Sequence, residues 1–127
     1  MLVASTVTSP LVHAAPASIA GMIVFLDPGH NGANDASLTK QVPTGRGGTK
    51  DCQTSGTTTN DGFPEHTFNW DTVLLIRQML TQLGGVRTAM SRGNDNQVAA
   101  CVDERAAMAN ALQPNAIVSI HADGGPA

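Results

Sequence analysis

His30, Glu65 and His121 are three side chains whose types, taken together, could hold a metal ion. Two imidazoles and one carboxylate make a sound donor set for zinc, with donor atoms about 2.0–2.2 Å from the ion. Three protein ligands leave one tetrahedral position for water, and zinc lowers the pKa of that water towards about 7. His30 closes the stretch "FLDPGH", directly behind Pro28-Gly29, and His121 directly follows "AIVSI". Asp27 lies near enough in sequence to orient the His30 ring as a hydrogen-bond partner. His66 rivals Glu65 as a ligand, but consecutive helix residues diverge by about 100°, so the two are not expected on one ion. There is no HExxH motif, because Thr67-Phe68-Asn69-Trp70 follow His66. Plainer readings stay open. A histidine at a strand end is often a hydrogen-bonded loop residue, and a glutamate in a first helical turn is satisfied by the helix dipole.

The elements between these residues decide whether they can meet. Residues 22–26, MIVFL, form a short apolar run between glycine and Asp-Pro-Gly, which predicts a strand buried on both faces. Residues 31–63 have no periodicity and are rich in Gly, Thr, Asn and Ser, so a long loop is expected. "TGRGGTK" within it is no phosphate loop, since Lys50 is followed by Asp51 rather than Ser or Thr. Pro64 suits the first position of a helix. Val73, Ile76, Leu80 and Leu83 mark that helix's apolar face, widened by Leu74, Leu75 and Met79. Gly84-Gly85 ends it. Val86 to Met90 reads as a strand, Val102 to Leu112 as a second helix, and 116–120 as a third buried strand. Asp103 and Glu104 favour the start of the second helix through its dipole.

The order β-α-β-α-β implies an α/β fold, with helices flanking a parallel sheet joined by right-handed crossovers. In such a sheet, the loops that follow the strands share one edge, where ligand crevices form. His30, Glu65 and His121 all fall at that edge.

Composition excludes several alternatives. Aromatic residues are 3% of the chain, with no tyrosine, which argues against a stacking surface for single-stranded nucleic acid. The net charge is −3 and the seven basic residues are scattered, so no basic stripe exists to meet phosphates. No apolar stretch approaches the roughly 20 residues that span a bilayer. One domain is expected from 127 residues. Residues 1–20 are small, apolar and uncharged, and Val12-His13-Ala14 fits a cleavage site. They read as a signal-peptide remnant or a plain extension, and His13 is given no role. Cys52 and Cys101 would form a disulfide in an exported protein and remain free thiols in the cytosol.

The stretches "FLDPGHNG", "PEHTFNW", "SRGND", "DERAAMANAL" and "AIVSIHADG" occur together, in that order, across roughly residues 22–124. In this the sequence resembles the zinc-dependent N-acetylmuramoyl-L-alanine amidases of the amidase-3 type, and "GRGGTKDC" is most like the small mycobacterial members. The resemblance implies a three-layer α/β fold with a mostly parallel sheet. It also implies zinc held by His30, Glu65 and His121, and a peptidoglycan or muropeptide substrate. The implied reaction is hydrolysis of the amide between N-acetylmuramic acid and L-alanine, with a glutamate as general base. An exported, periplasmic or cell-wall protein follows, expected to be a monomer without nucleic-acid or membrane partners.

The family's later strands, its C-terminal helix and its catalytic glutamate are not matched here. Residues 21–127 therefore read as the N-terminal part of the catalytic domain, with the base expected beyond Ala127 and little turnover expected from this chain alone. Glu104 reads as a dipole partner. A catalytically dead zinc- or wall-binding module is the alternative. Arg46 and Lys50 could meet stem-peptide carboxylates or be plain surface. Arg92 and Arg105 are expected to tie strand and helix ends together, and Trp70 and Asn110 to serve packing and local hydrogen bonds.

Overall fold

The computed structural model describes residues 18–125, so the N-terminal segment up to residue 17, with His13, lies outside the described residues. Strand β1 (Ile23–Pro28) is the centre of a three-stranded sheet, flanked by β4 (Arg87–Met90) and β5 (Ala116–Ile120) in the order β4-β1-β5. Both pairings are parallel: Leu26 sits opposite Met90 on one side and Val118 on the other. Helix α1 (Glu65–Gln82) carries the chain from β1 to β4, and α2 (Val102–Leu112) from β4 to β5. These two steps run in opposite directions across the sheet. Right-handed crossovers therefore place α1 and α2 on opposite faces. The expected β-α-β-α-β layout is the one observed.

The structure departs from expectation in three places, two of burial and one of a helix boundary. β1 buries Phe25, Leu26 and Pro28, but β5 is an edge strand whose Ile117 is 57% exposed. An apolar run can look fully buried in sequence while half of it faces outward, because periodicity does not report what covers a face. On α1, Val73 is fully buried, whereas Leu75, Met79 and Leu83 are more than 60% exposed. The buried line is Glu65, Asn69 and Val73, at four-residue steps, and two of the three are polar. Finally, Pro64 is the N-cap in extended conformation, and the helix begins at Glu65.

The segment 31–63 is more ordered than its composition suggests. A 3-10 turn over Ala36–Thr39 is capped by the Asp35 carboxylate, which accepts from the Ser37 N–H at 2.7 Å. An antiparallel hairpin follows, β2 (Gln41–Pro43) against β3 (Thr49–Asp51). Its strands are three residues long, too short for alternation to show, and "TGRGG" is its turn. Gly45, Gly47 and Gly48 there have positive φ, which a side chain would strain. Val42, Cys52 and Cys101 form a small apolar cluster, with Val102 packed against it. Cys52 and Cys101 are joined as a disulfide that fastens this segment to the start of α2. Closing a loop of 49 residues stabilises the fold by about 4 kcal/mol in the chain-entropy account.

Asp27 fastens β1 to everything around it. Its carboxylate accepts from Ser91 just past β4 (2.5 Å), Ser119 on β5 (2.8 Å) and Arg105 on α2 (3.0 Å). It does not orient an imidazole, contrary to the sequence reading: it lies on β1 two residues before the turn, and these three donors take it up. Burial opposes its ionisation, but the two hydroxyls and the guanidinium outweigh that and hold its pKa below the ordinary value. A carboxylate shifted this way stabilises the fold above its unfolded pKa of about 3.9 and loses that effect as pH falls through the folded value. Asp27→Asn should therefore lower stability near neutral pH by about 1–3 kcal/mol. The gap to the wild type should close below about pH 4. Thermal unfolding of both proteins across that range checks it, and a gap independent of pH would contradict it.

Candidate metal centre

At the carboxyl end of β1 the chain reverses. His30 adopts a left-handed conformation (φ 64°), which is uncommon outside glycine and costs about 1–3 kcal/mol. The cost is met by donors on the carbonyls that the turn points inward. Pro28 O accepts from Arg92 Nε and Arg105 Nη1, both at 3.0 Å. Gly29 O accepts from Asn69 Nδ2 at 3.2 Å, and His30 O from Arg105 Nη2 at 2.8 Å. The two arginines tie strand and helix ends together, as their positions in the sequence suggested, and both are 5% exposed.

The His30 ring is oriented from the long segment. Its Nδ1 lies 2.9 Å from Thr54 O. A carbonyl can only accept, so the proton sits on Nδ1 and the Nε2 lone pair is free. Glu65, the first residue of α1, is buried and receives backbone N–H groups from two sides. Thr57 N donates to Oε2 at 2.9 Å and Ala122 N to Oε1 at 3.0 Å. Burial alone would raise its pKa. The two N–H groups, with the His121 and His30 imidazoles beside the carboxylate, reverse that and lower it to about 2. The carboxylate is thus ionised throughout the neutral range. His121, one residue past β5, has a side chain 40% exposed, so the cluster is open to solvent on that side.

His30 Nε2, His121 Nδ1 and Glu65 Oε1 form a nearly equilateral triangle. Its edges are 3.2 Å between the nitrogens and 3.1 Å from each nitrogen to the oxygen. Tetrahedral geometry with bonds of about 2.0–2.1 Å places donor atoms about 3.3–3.4 Å apart. The observed edges are within a few tenths of an ångström of one face of such a tetrahedron, so the residues present fit a zinc ion. Two glycines leave room for the rings. A Cβ on Gly29 would overlap the His121 imidazole, and one on Gly56 would press on His30 Cδ2 and Glu65 Oε2.

The structure thus brings together the three residues named from the sequence. His66, the rival, turns away and places Nδ1 2.8 Å from Asp95 Oδ1. Glu104 closes a capping box, with its carboxylate on the Cys101 N–H at 2.9 Å. Trp70 packs under the Arg92 guanidinium, 5.1 Å from the ring centre. Arg46 and Lys50 are exposed. Lys50 and Asn110 line a cavity of about 410 Å³ that also reaches Gly29, His30 and His121. Sequence reasoning missed Thr54, Thr57 and Ala122: Thr57 and Ala122 donate backbone N–H groups and Thr54 meets the ring through its carbonyl and, at 3.2 Å, its hydroxyl, none of which sits in a recognisable motif.

A parallel α/β sheet carrying two imidazoles and a buried carboxylate at its carboxyl edge has the donor set of a catalytic zinc protein. Comparison with known proteins gives the family. Residues 24–127 match the N-acetylmuramoyl-L-alanine amidase family (Amidase_3), and the chain belongs to it. It is 68% identical over 127 residues to N-acetylmuramoyl-L-alanine amidase Rv3717 of Mycobacterium tuberculosis, covering all of this chain and 52% of that protein. Among solved structures it is similar to the amidase Ami1 of Mycobacterium smegmatis (TM-score 0.85, 76% identity, 87% of this chain and 50% of that one). Apo Ami1 of Mycobacterium abscessus is comparable (TM-score 0.83, 71% identity, 86% of this chain and 51% of that one). The chain thus spans about half the length of these relatives.

Gly29 lacks the positive φ of His30, so alanine fits its backbone, and its Cβ meets the His121 ring first. Gly29→Ala should retain the wild-type circular dichroism spectrum while weakening zinc binding about 10–100-fold, the range for a displaced ligand support. Competition with a chromophoric chelator measures this, and unchanged affinity would contradict the reading of Gly29 as space for His121.

Proposed function

We propose that this chain carries the zinc-holding part of a peptidoglycan amidase, with His30 Nε2, Glu65 Oε1 and His121 Nδ1 as the protein ligands. The observation that supports it most is the triangle of donor atoms at the sheet edge, in a chain of this family. The reaction class is hydrolysis of the amide joining N-acetylmuramic acid to L-alanine. A zinc ion held there supplies Lewis acidity, polarising the scissile carbonyl and acidifying a water. The chain's own residues do the rest of what can be derived. Glu65 enters the site already ionised, so no proton must leave it when a cation arrives. Thr54 keeps the His30 proton on the far nitrogen, and Arg92 and Arg105 hold the turn that presents the ring.

The cavity beside the imidazoles is lined by Lys50, Gln53 and Asn110, groups suited to the carboxylates and amides of a stem peptide. Export to the periplasm or cell wall fits this substrate, and the Cys52–Cys101 disulfide supports it, because such bonds persist in oxidising compartments. Glu65 and Glu104 are the chain's glutamates, and both are engaged elsewhere than as a general base. Their engagement is equally expected of the first reading and of a second, a module that holds zinc without turnover.

Metal analysis of the purified chain tests the first part. One zinc per chain is expected, lost in both His30→Ala and His121→Ala; an unmetallated wild type in zinc-containing buffer would refute it. Release of L-alanyl peptide from a muropeptide separates the readings once the chain is joined to the C-terminal half of a relative: chelator-sensitive turnover supports the amidase, and stoichiometric zinc without turnover supports the module.

A further inference from the structure

Arg105 stands out among the buried groups because its contacts are concentrated on one short segment. Nε donates to Ala100 O at 3.0 Å. Nη1 donates to Asp27 Oδ1 and Pro28 O at 3.0 Å, and Nη2 to His30 O and Asn31 Oδ1 at 2.8 Å. Four of these five acceptors lie within residues 27–31, the segment that ends β1 and carries His30. We infer that Arg105 is a positioning residue for the metal centre: its planar fork locks the left-handed turn and so fixes where His30 Nε2 points. This rests on the proposed zinc site.

The argument is geometric. With φ at 64°, His30 sits in a conformation that a free chain would seldom choose, and a change in its backbone angles would swing the imidazole out of the triangle. Rotating the peptide that follows His30 moves its carbonyl, the atom Arg105 Nη2 holds. The same nitrogen holds the Asn31 side chain, so the fork spans both sides of that peptide. Lysine has the charge but is a point donor without the fork, and cannot satisfy acceptors on both arms. Arg92 provides a matched comparison. It is equally buried and shares Pro28 O, yet its other partners are Gly29 O, His66 O, Asn94 O and Asp95, with no contact to the His30 carbonyl.

The experiment compares Arg105→Lys with Arg92→Lys in the full 127-residue chain, reading zinc affinity, thermal stability and the visible spectrum of the cobalt(II) form. Both variants should melt lower. Arg105→Lys should also lose about 10–100-fold in zinc affinity and weaken the ligand-field bands of tetrahedral cobalt, and Arg92→Lys, which leaves the His30 carbonyl held, should lose distinctly less of both. Equal losses of affinity in the two variants, or an unchanged cobalt spectrum in Arg105→Lys, would overturn the inference. If the wild type itself binds neither ion, the zinc site fails and not merely the role of Arg105. Should Arg105→Lys not fold, Asn31→Ala serves instead. It removes one acceptor of the fork together with Nδ2, a buried group unpartnered among the described residues. Some loss of stability is then expected from the stranded Arg105 Nη2, with zinc affinity down about two- to tenfold, the worth of one hydrogen bond. Wild-type affinity in that variant would refute the positioning role.

Discussion

The reversal at Pro28-Gly29-His30 is the constraint around which the rest of this structure is arranged. Three consecutive carbonyls turn inward where β1 stops, and inward carbonyls away from water need donors. The two buried arginines and Asn69 supply them. Each guanidinium in turn needs a counter-charge, and each has one: Asp27 for Arg105 and Asp95 for Arg92. Burial and the neighbouring Arg105 charge push the Arg92 pKa down, and Asp95 works against that. Asp95 then engages His66 and Thr67 on α1, and Asp27 engages the serines on or beside β4 and β5. One turn thereby ties both helices and all three strands into a polar lattice.

This explains an unusual balance in the interior. Among the described residues, nine buried side chains are apolar, Pro28 included, and eight are polar or charged, and seven of the eight polar ones belong to this lattice or to the donor triangle. A core of that kind gains less from the hydrophobic effect than an apolar one of equal size. It is also unforgiving, because removing one partner strands another in low dielectric. In exchange it fixes directions. Apolar packing holds a side chain in place to within a rotamer, whereas a network of donors and acceptors fixes where a lone pair points. A metal centre requires the latter.

The sequence made much of this legible, for identifiable reasons. Strand order and the sheet edge follow from the alternation of apolar runs and helices. That edge collects His30, Glu65 and His121 whatever the details of packing. Residue chemistry then nominates a donor set. What stayed hidden has a common cause. The inward face of α1 begins with Glu65 and Asn69, so a search for apolar periodicity passes over its most buried turns and promotes Leu75 and Met79, which face outward. Asp27 looked like a support for the imidazole because it is close in sequence. The true support is Thr54 O, contributed by a segment with no recognisable pattern.

That segment deserves to be seen as part of the site's frame rather than as a cover. It is fixed at two points that both bear on the triangle. The disulfide anchors Cys52 to the N-cap of α2, and Val102 N donates to Cys52 O at 2.9 Å, so the chain leaves that point in a defined direction. Two residues later Thr54 reaches His30. Further on, Gly56 has a positive φ and lies against the His30 ring, and Thr57 N donates to Glu65 while Glu65 N donates back to Thr57 O at 2.9 Å. Residues 52–57 therefore touch two of the three donors and Arg105's own helix. The same helix whose first turn is stapled by the disulfide sends Arg105 across to hold His30 from the other side. Both supports of that imidazole thus trace to the start of α2, which makes the covalent link between Cys52 and Cys101 a constraint on the distance between them.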